Sequence, residues 1–211
     1  MTNSNAPAAS ATSPASAART ATLTRETRET SITATLNIDG TGKSSIDTGI
    51  PFIDHMLELL ARHGLMDLDV KATGDLDVDY HHTVEDLGLV LGTILNEALG
   101  DRRGIVRYGF YMLTMDESLC RVALDLGGRP FMDYQIACTK THIRDFDVKL
   151  IEEFFRAFMT QARMNLHIAH LYGDEIHHAY EGVFKAVARS LRMAVAHDPR
   201  EIGIPSSKGV L

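Results

Sequence analysis

DYHHTVED (residues 79–86) and EIHHAYEG (residues 175–182) spell His-His-x-x-Glu twice in one chain, 96 positions apart. With 10 histidines among 211 residues, chance does not supply two copies of so specific a pattern. The stretch after each motif repeats as well. After the first copy, apolar residues fall at Val84, Leu87, Leu91, Ile94, Leu95, Ala98 and Leu99, the stripe of an amphipathic helix that Gly100 stops. Moved by the same 96 positions, the stripe becomes Tyr180, Val183, Val187, Leu191, Ala194 and Val195, six of the seven positions. The duplicated unit is at least a whole helix.

The likeness extends upstream. Pro51 suits the first turn of a helix, and Phe52, Ile53, Met56, Leu57 and Leu60 form its apolar stripe before Gly64. Ile151, Phe154, Phe155, Phe158 and Met159 do the same in the second half. Short strands are expected around Leu68–Ala72 and Leu166–His170. Earlier in each half lie hairpin signals: TLNIDGTGKSSID, turning at Asp39-Gly40, then YGFYMLTMDESLCRVALDL and PFMDYQI. Each half reads as strand, strand, helix, strand, helix. The expected fold is α+β, an internal duplication with helices packed against sheets and halves of about 25–104 and 105–198.

On a helix, residues i and i+4 share a face, so His81 and Glu85 can reach one cation, as can His177 and Glu181. His82 and His178 are rotated by about 100° at 3.6 residues per turn and point elsewhere, towards a second ion. The bland alternative is a His pair at a helix start with a solvated Glu. Duplication favours the metal reading. His55, 26 residues before His81, and Glu153, 24 residues before His177, occupy matching places on the preceding helices and complete a set of eight. Eight donors give two ions four each, leaving open positions on a six-coordinate metal. Nitrogen and oxygen donors without thiolate suit Mn, Fe(II), Ni or Zn, and six-coordination tilts the choice to Mn or Fe. His63 sits at a helix end, where an imidazole is favourable, and reads as structural. His142, His167, His170 and His197 have no spacing partner.

Composition narrows the remaining classes. A hydrophobic fraction of 45% and a charged fraction of 23% are ordinary for a globular chain. The net charge of −7 argues against nucleic acid or an anionic membrane as partner, so an anionic ligand needs a local basic cluster. No apolar run is long enough to span a bilayer. Cys120 and Cys138 fit no metal or redox spacing and read as reduced thiols of a cytoplasmic protein. Of residues 1–24, nineteen are Ala, Ser, Thr or Pro, a composition expected to form a disordered tail ahead of a domain over 25–211.

Seven stretches in order, GIPFIDHML, DYHHTVED, GDRRGIVRYG, LDLGGRPF, LHI, HHAYEGVFKAVARSL and the terminal PSSKGVL, resemble the imidazoleglycerol-phosphate dehydratase family of histidine biosynthesis. The likeness runs from about Arg25 to Leu211. It implies a hydro-lyase that dehydrates imidazole glycerol phosphate to imidazole acetol phosphate, through a substrate imidazolate bridged by two metal ions. The cofactor implied is a pair of divalent ions, Mn above others, held by the eight residues named, with Glu at position 153 where other members carry His. The resemblance also implies that Arg107, Arg129, Lys185, Ser206 and Lys208 hold the substrate phosphate, the last two in a C-terminal tail of residues 199–211. Arg forks, Lys and a Ser-Ser-Lys-Gly segment are suitable phosphate ligands. Glu29 matches a substrate-side position and, with Glu181, is a candidate for proton transfer.

The resemblance further implies a homo-oligomer of twenty-four subunits. If a pseudo-twofold axis sets the two motif helices antiparallel, the motifs lie at opposite ends of the subunit, and neighbouring subunits must complete each site. Two rival classes fit the motifs: a two-metal hydrolase, which would hold a nucleophilic water, and a metal-storage protein, which would need no convergent Arg and Lys.

Overall fold

The computed structural model describes residues 18–211. The first half runs β1 (Thr20–Glu26), β2 (Thr30–Asn37), β3 (Ser44–Asp47), α1 (Pro51–Gly64), β4 (Asp67–Gly74) and α2 (His81–Leu99). The second runs β5 (Tyr108–Met115), β6 (Ser118–Asp125) and β7 (Phe131–Ile136), then a small hairpin of β8 (His142–Ile143) and β9 (Phe146–Asp147). It ends with α3 (Leu150–Ala162), β10 (Asn165–Tyr172) and α4 (Ile176–Val195). The two sheets have matching orders, β1-β2-β4-β3 and β5-β6-β10-β7. In each, the last two strands of that order pair parallel and the rest antiparallel. The chain is an α+β duplication.

Two details differ from the sequence expectation. The first half carries three strands ahead of its first helix, not two, and the second carries three in its sheet followed by the β8–β9 hairpin. In the first half the extra one is β1, whose residues 20–24 fall inside the stretch expected to be a disordered tail over 1–24. Residues 1–17 of that stretch lie outside the described residues. β1 is a true ladder strand: Thr22 and Thr24 meet Thr35 and Thr33 across the β1–β2 pair with hydroxyl contacts of 2.9 and 3.0 Å, while Ala21 and Leu23 pack on the core. Secondly, TLNIDGTGKSSID is no hairpin. β2 pairs with β1 and β4, and β3 crosses to the far side of β4. The Asp67 carboxylate steers that crossing by accepting the N–H groups of Thr41 (2.8 Å) and Lys43 (3.0 Å). Gly40 packs so closely on Asp67 that a Cβ there would collide with its backbone. The expected β5–β6 hairpin does form.

Alternation decides which sheet face is buried. Ile32, Ala34 and Leu36 of β2, and Cys120, Val122 and Leu124 of β6, point inward, while their neighbours Ser31, Thr33 and Arg121 face out. The helices cover the inner faces, α1 and α2 on the first sheet and α3 and α4 on the second. Between halves they pair crosswise, α2 against α3 and α4 against α1. Phe154, Phe155, Phe158 and Phe184 stack at the centre, with ring centroids 4.9–6.0 Å apart. Each such fully buried side chain contributes about 1.5–3 kcal/mol. α2 crosses α3 at Gly88 and Gly92, where a Cβ would strike the Phe154 and Phe158 carbonyls. Cys120 is buried and Cys138 half-buried, and both are free thiols; burial pushes the Cys120 thiol up to about 11.

Candidate metal centre and anion cleft

Both motifs open their helices. At the start of α2, Asp79 accepts the His81 N–H at 2.7 Å, and at the start of α4, Glu175 accepts the His177 N–H at 3.2 Å. These caps satisfy donors that no helical carbonyl can reach and fix the rings at the helix mouths. The i, i+4 partners then meet: His81 Nε2 lies 3.5 Å from Glu85, and His177 Nε2 lies 3.1 Å from Glu181. α1 packs on α4 and brings His55 in, its ring stacked on His177 at 5.6 Å and its Nε2 3.9 Å from Glu181. One donor atom from each of His55, His177 and Glu181 lies within 4.8 Å of the others, a spacing that fits one divalent cation.

Glu181 is nearly buried, which works against its charge. The Lys185 ammonium, 2.5 Å away, together with His177 and His55, still holds its carboxyl below the usual range. Lys185 therefore belongs to this cluster, on α4, and not with the other basic residues. In the first half, His81 and Glu85 pair, and the α2–α3 crossing puts Glu153 beside Phe154, whose carbonyl faces Gly88. Glu153 joins no group of three donors among the described residues.

The second histidine of each motif has a different partner. His82 Nδ1 contacts Asp75 at 3.0 and 3.3 Å, with Glu29 3.9 Å away. His178 Nδ1 contacts Glu117 at 2.9 Å. These carboxylates hold both rings' pKa above the ordinary value. His63, by contrast, is pushed down, first by burial and then by the nearby Lys185 and Arg189 charges. Asp75 and Glu117 escape sequence reasoning because they come from a loop and a hairpin turn. The usable signal was positional: Glu29 and Glu117 fall in the equivalent β1–β2 and β5–β6 turns.

The motifs do not lie at opposite ends of the subunit. Tyr80 stacks on Phe146 (6.1 Å), Phe146 meets Phe52 (5.1 Å), and Phe52 meets His177 (6.0 Å). That chain of rings keeps the α2 mouth nearer the α4 mouth than the length of one motif helix, about 28 Å. The expectation failed because α2 and α4 do not pack antiparallel on each other; each pairs with the first helix of the other half. Between the mouths lies a cleft of about 360 Å³ walled by Phe52, His55, Tyr80, Arg144, Phe146 and His177. The Tyr80 hydroxyl donates to Asp145 at 2.8 Å and ties the β8–β9 hairpin to its rim.

A second cleft, of about 390 Å³, gathers Arg107, Arg129, Ser206 and Lys208, four of the five residues expected to bind phosphate, together with Ser207. Arg107 is held there by its own partners. Its Nε and Nη2 donate to Asp125 at 2.6 and 2.9 Å, and its Nη1 donates to the Pro205 carbonyl at 2.8 Å. Arg107 thus anchors the C-terminal segment that carries Ser206 and Lys208. Glu29 stands apart from this cleft's lining, beside His82.

Fold and site together define a duplicated α+β protein with imidazole–carboxylate centres at its helix mouths and a basic, hydroxyl-lined cleft. The family profile described as imidazoleglycerol-phosphate dehydratase matches residues 48–191. The enzyme of that name from Pelobacter propionicus is 53% identical over 193 residues, 92% of this chain and 99% of that one. The Nitrosomonas europaea enzyme is 54% identical over 194 residues, 92% and 98% of the two chains. A crystal structure of imidazoleglycerol-phosphate dehydratase from Staphylococcus aureus superposes with a TM-score of 0.78 at 36% identity, covering 85% of this chain and 99% of that one. One from Pyrococcus furiosus gives 0.78 at 32% identity, covering 90% and 100%. The chain belongs to the imidazoleglycerol-phosphate dehydratase family, hydro-lyases of histidine biosynthesis. No helix among the described residues is long and apolar enough to cross a membrane.

Proposed function

We propose that the chain dehydrates imidazole glycerol phosphate to imidazole acetol phosphate with two divalent metal ions, manganese foremost, in sites shared between subunits of a homo-oligomer in the cytoplasm. The convergence of His55, His177 and Glu181 supports it: three N and O donors at cation spacing, with no thiolate. The carbon that must lose its proton has no adjacent carbonyl, so the substrate's imidazole has to take up the negative charge. Bound divalent ions would supply Lewis-acid stabilisation of that charge on the ring.

The chain's own residues do the rest. His55, His81, His177, Glu85 and Glu181 would hold the ions, with His82, His178 and Glu153 completing the sets across subunit contacts. Arg129, Ser206 and Lys208, with Arg107 fixing the segment, would grip the phosphate as a handle distant from the reacting carbons. Glu29, exposed and 3.9 Å from His82, would carry a proton, with Glu181, beside His55 and His177, as the second candidate. Exposed apolar residues of β5, Tyr108, Phe110 and Met112, support self-association through that sheet face.

The test is metal analysis of the purified protein together with product detection. Ketone release that is lost on chelation and restored by manganese supports the reading. Release of inorganic phosphate instead would make the chain a two-metal hydrolase.

A further inference from the structure

In both halves, a carboxylate outside the motif grips the same nitrogen of the motif's second histidine. Asp75 precedes α2 by a short loop, and its Oδ2 lies 3.0 Å from His82 Nδ1. Glu117 sits in the β5–β6 turn, 61 residues before His178, and its Oε2 lies 2.9 Å from His178 Nδ1. An ionised carboxylate only accepts, so each Nδ1 must carry the hydrogen. In the neutral ring this leaves Nε2 as the lone-pair nitrogen. The two pairs arise from different elements, yet they fix the same tautomer and leave the same atom free.

We infer that Asp75 and Glu117 are positioning residues that set the tautomer and aim of His82 and His178, so that each presents Nε2 to a metal ion. The inference rests on the metal-binding reading above and deepens it. The first histidines, His81 and His177, are aimed by the helix itself, with Nε2 3.5 and 3.1 Å from their own i+4 glutamates. The second histidines point away from that glutamate, and without a fixed Nδ1–H both tautomers and several ring orientations would compete. The turns have also divided their work. Glu117 of the β5–β6 turn contacts His178 directly, whereas Glu29 of the β1–β2 turn stays 3.9 Å from His82 because Asp75 has taken that position. Glu29 is thereby left free for substrate.

The experiment is manganese titration of chelator-stripped full-length protein, with free ion read by a competing indicator. Glu117→Ala and Asp75→Ala should each weaken manganese binding by about 10–100-fold. Glu117→Gln and Asp75→Asn should recover most of that loss, because an amide oxygen still accepts from Nδ1–H. In a His178→Ala background, Glu117→Ala should change affinity no further, since it acts through that ring. Glu117 Oε1 also accepts the Glu175 N–H at 3.1 Å, so the melting temperature of each stripped variant is measured alongside. Should Glu117→Ala fail to fold, the Gln variant and the Asp75 pair carry the test.

Wild-type affinity in both Ala variants, or Gln and Asn variants no better than Ala, would overturn the inference while leaving the metal reading intact. A further loss on adding Glu117→Ala to His178→Ala would overturn it too. A wild-type protein that binds no manganese would end both.

Discussion

Arg19 and Arg107 occupy the same place in the two halves. Each precedes the outer strand of its sheet, and each carbonyl accepts the N–H of the residue just beyond the neighbouring strand, Ile38 or Leu126, at 3.1 Å. Each guanidinium forks onto a carboxylate close by, Asp39 or Asp125, and each Nη1 donates to a backbone carbonyl. What differs is the carbonyl. Arg19 holds Val195 at the end of α4, a purely structural tie, whereas Arg107 holds Pro205 and with it the segment bearing Ser206 and Lys208. The same clamp stabilises in one half and builds a binding cleft in the other. Elsewhere too the backbone plan is kept and the chemistry shifts. Lys185 beside Glu181 has Leu89 as its counterpart 96 positions earlier, and Gly88 and Gly92 have Phe184 and Ala188 as theirs.

The largest effect should fall where the halves are still alike. His81→Ala and His177→Ala should each lower dehydration by about a thousandfold, the order expected when a Lewis acid's several kcal/mol are lost at 1.36 kcal/mol per tenfold. Manganese content should fall with activity while helical circular dichroism stays. If His81→Ala kept full activity and metal, the first motif would be a relic and the functional duplication would collapse to the second half.

The helix crossings sharpen the comparison next. Gly92→Ala forces a methyl into the Phe158 carbonyl, and overpacking of this kind costs about 1–3 kcal/mol. The melting temperature should fall by roughly 2–4 °C per kcal/mol for a chain this size. Ala188→Gly, at the equivalent place on α4, removes only a methyl and some helix propensity, about 1 kcal/mol. An unchanged melting temperature in Gly92→Ala would mean that the α2–α3 crossing has room for a methyl and that the asymmetry is unimportant.

Arg107→Ala should raise KM about tenfold or more, with the smaller effect on kcat, because it releases the C-terminal segment from the cleft and removes charge from a substrate handle. Arg19→Ala should leave KM unchanged. A matched rise in both would show that the clamps have not diverged.

Much of this was legible in the sequence. Long periodic stretches gave all four helices, and the i, i+4 spacing gave the His–Glu pairs, because both depend on residues close in the chain. β1 was hidden because TATLTRE continues a Thr- and Ala-rich stretch, with only Ala21 and Leu23 facing the core. The β2–β3 connection misled because Asp39-Gly40 reports a turn and not a partner; Asp67, 26 residues beyond Thr41, decides where the chain goes. Asp75, Glu117 and Asp125 were invisible for the same reason. Their contacts are tertiary, set by sheet register, and no local spacing encodes them.

The smallest effect concerns the structural clamp under acid. Arg19 donates to both oxygens of Asp39 and holds its carboxyl below the usual range, the side-chain hydrogen bond outweighing burial. A folded pKa depressed below the unfolded value near 3.8 means that the stabilising contribution is complete above that value. It is lost as pH falls through the lower, folded value. Asp39 is partly exposed, so screening limits the contribution to roughly 0.2–1 kcal/mol. Asp39→Asn should therefore lower the melting temperature by a degree or two at neutral pH, and the gap should shrink as pH falls below 3.8 and narrow in high salt. Thermal melts of wild type and variant across pH 2.5–7 would show it. A gap that persisted undiminished at the acid end would mean that Asp39 acts through packing, and the likeness between the Arg19 and Arg107 clamps would be one of shape without shared electrostatics.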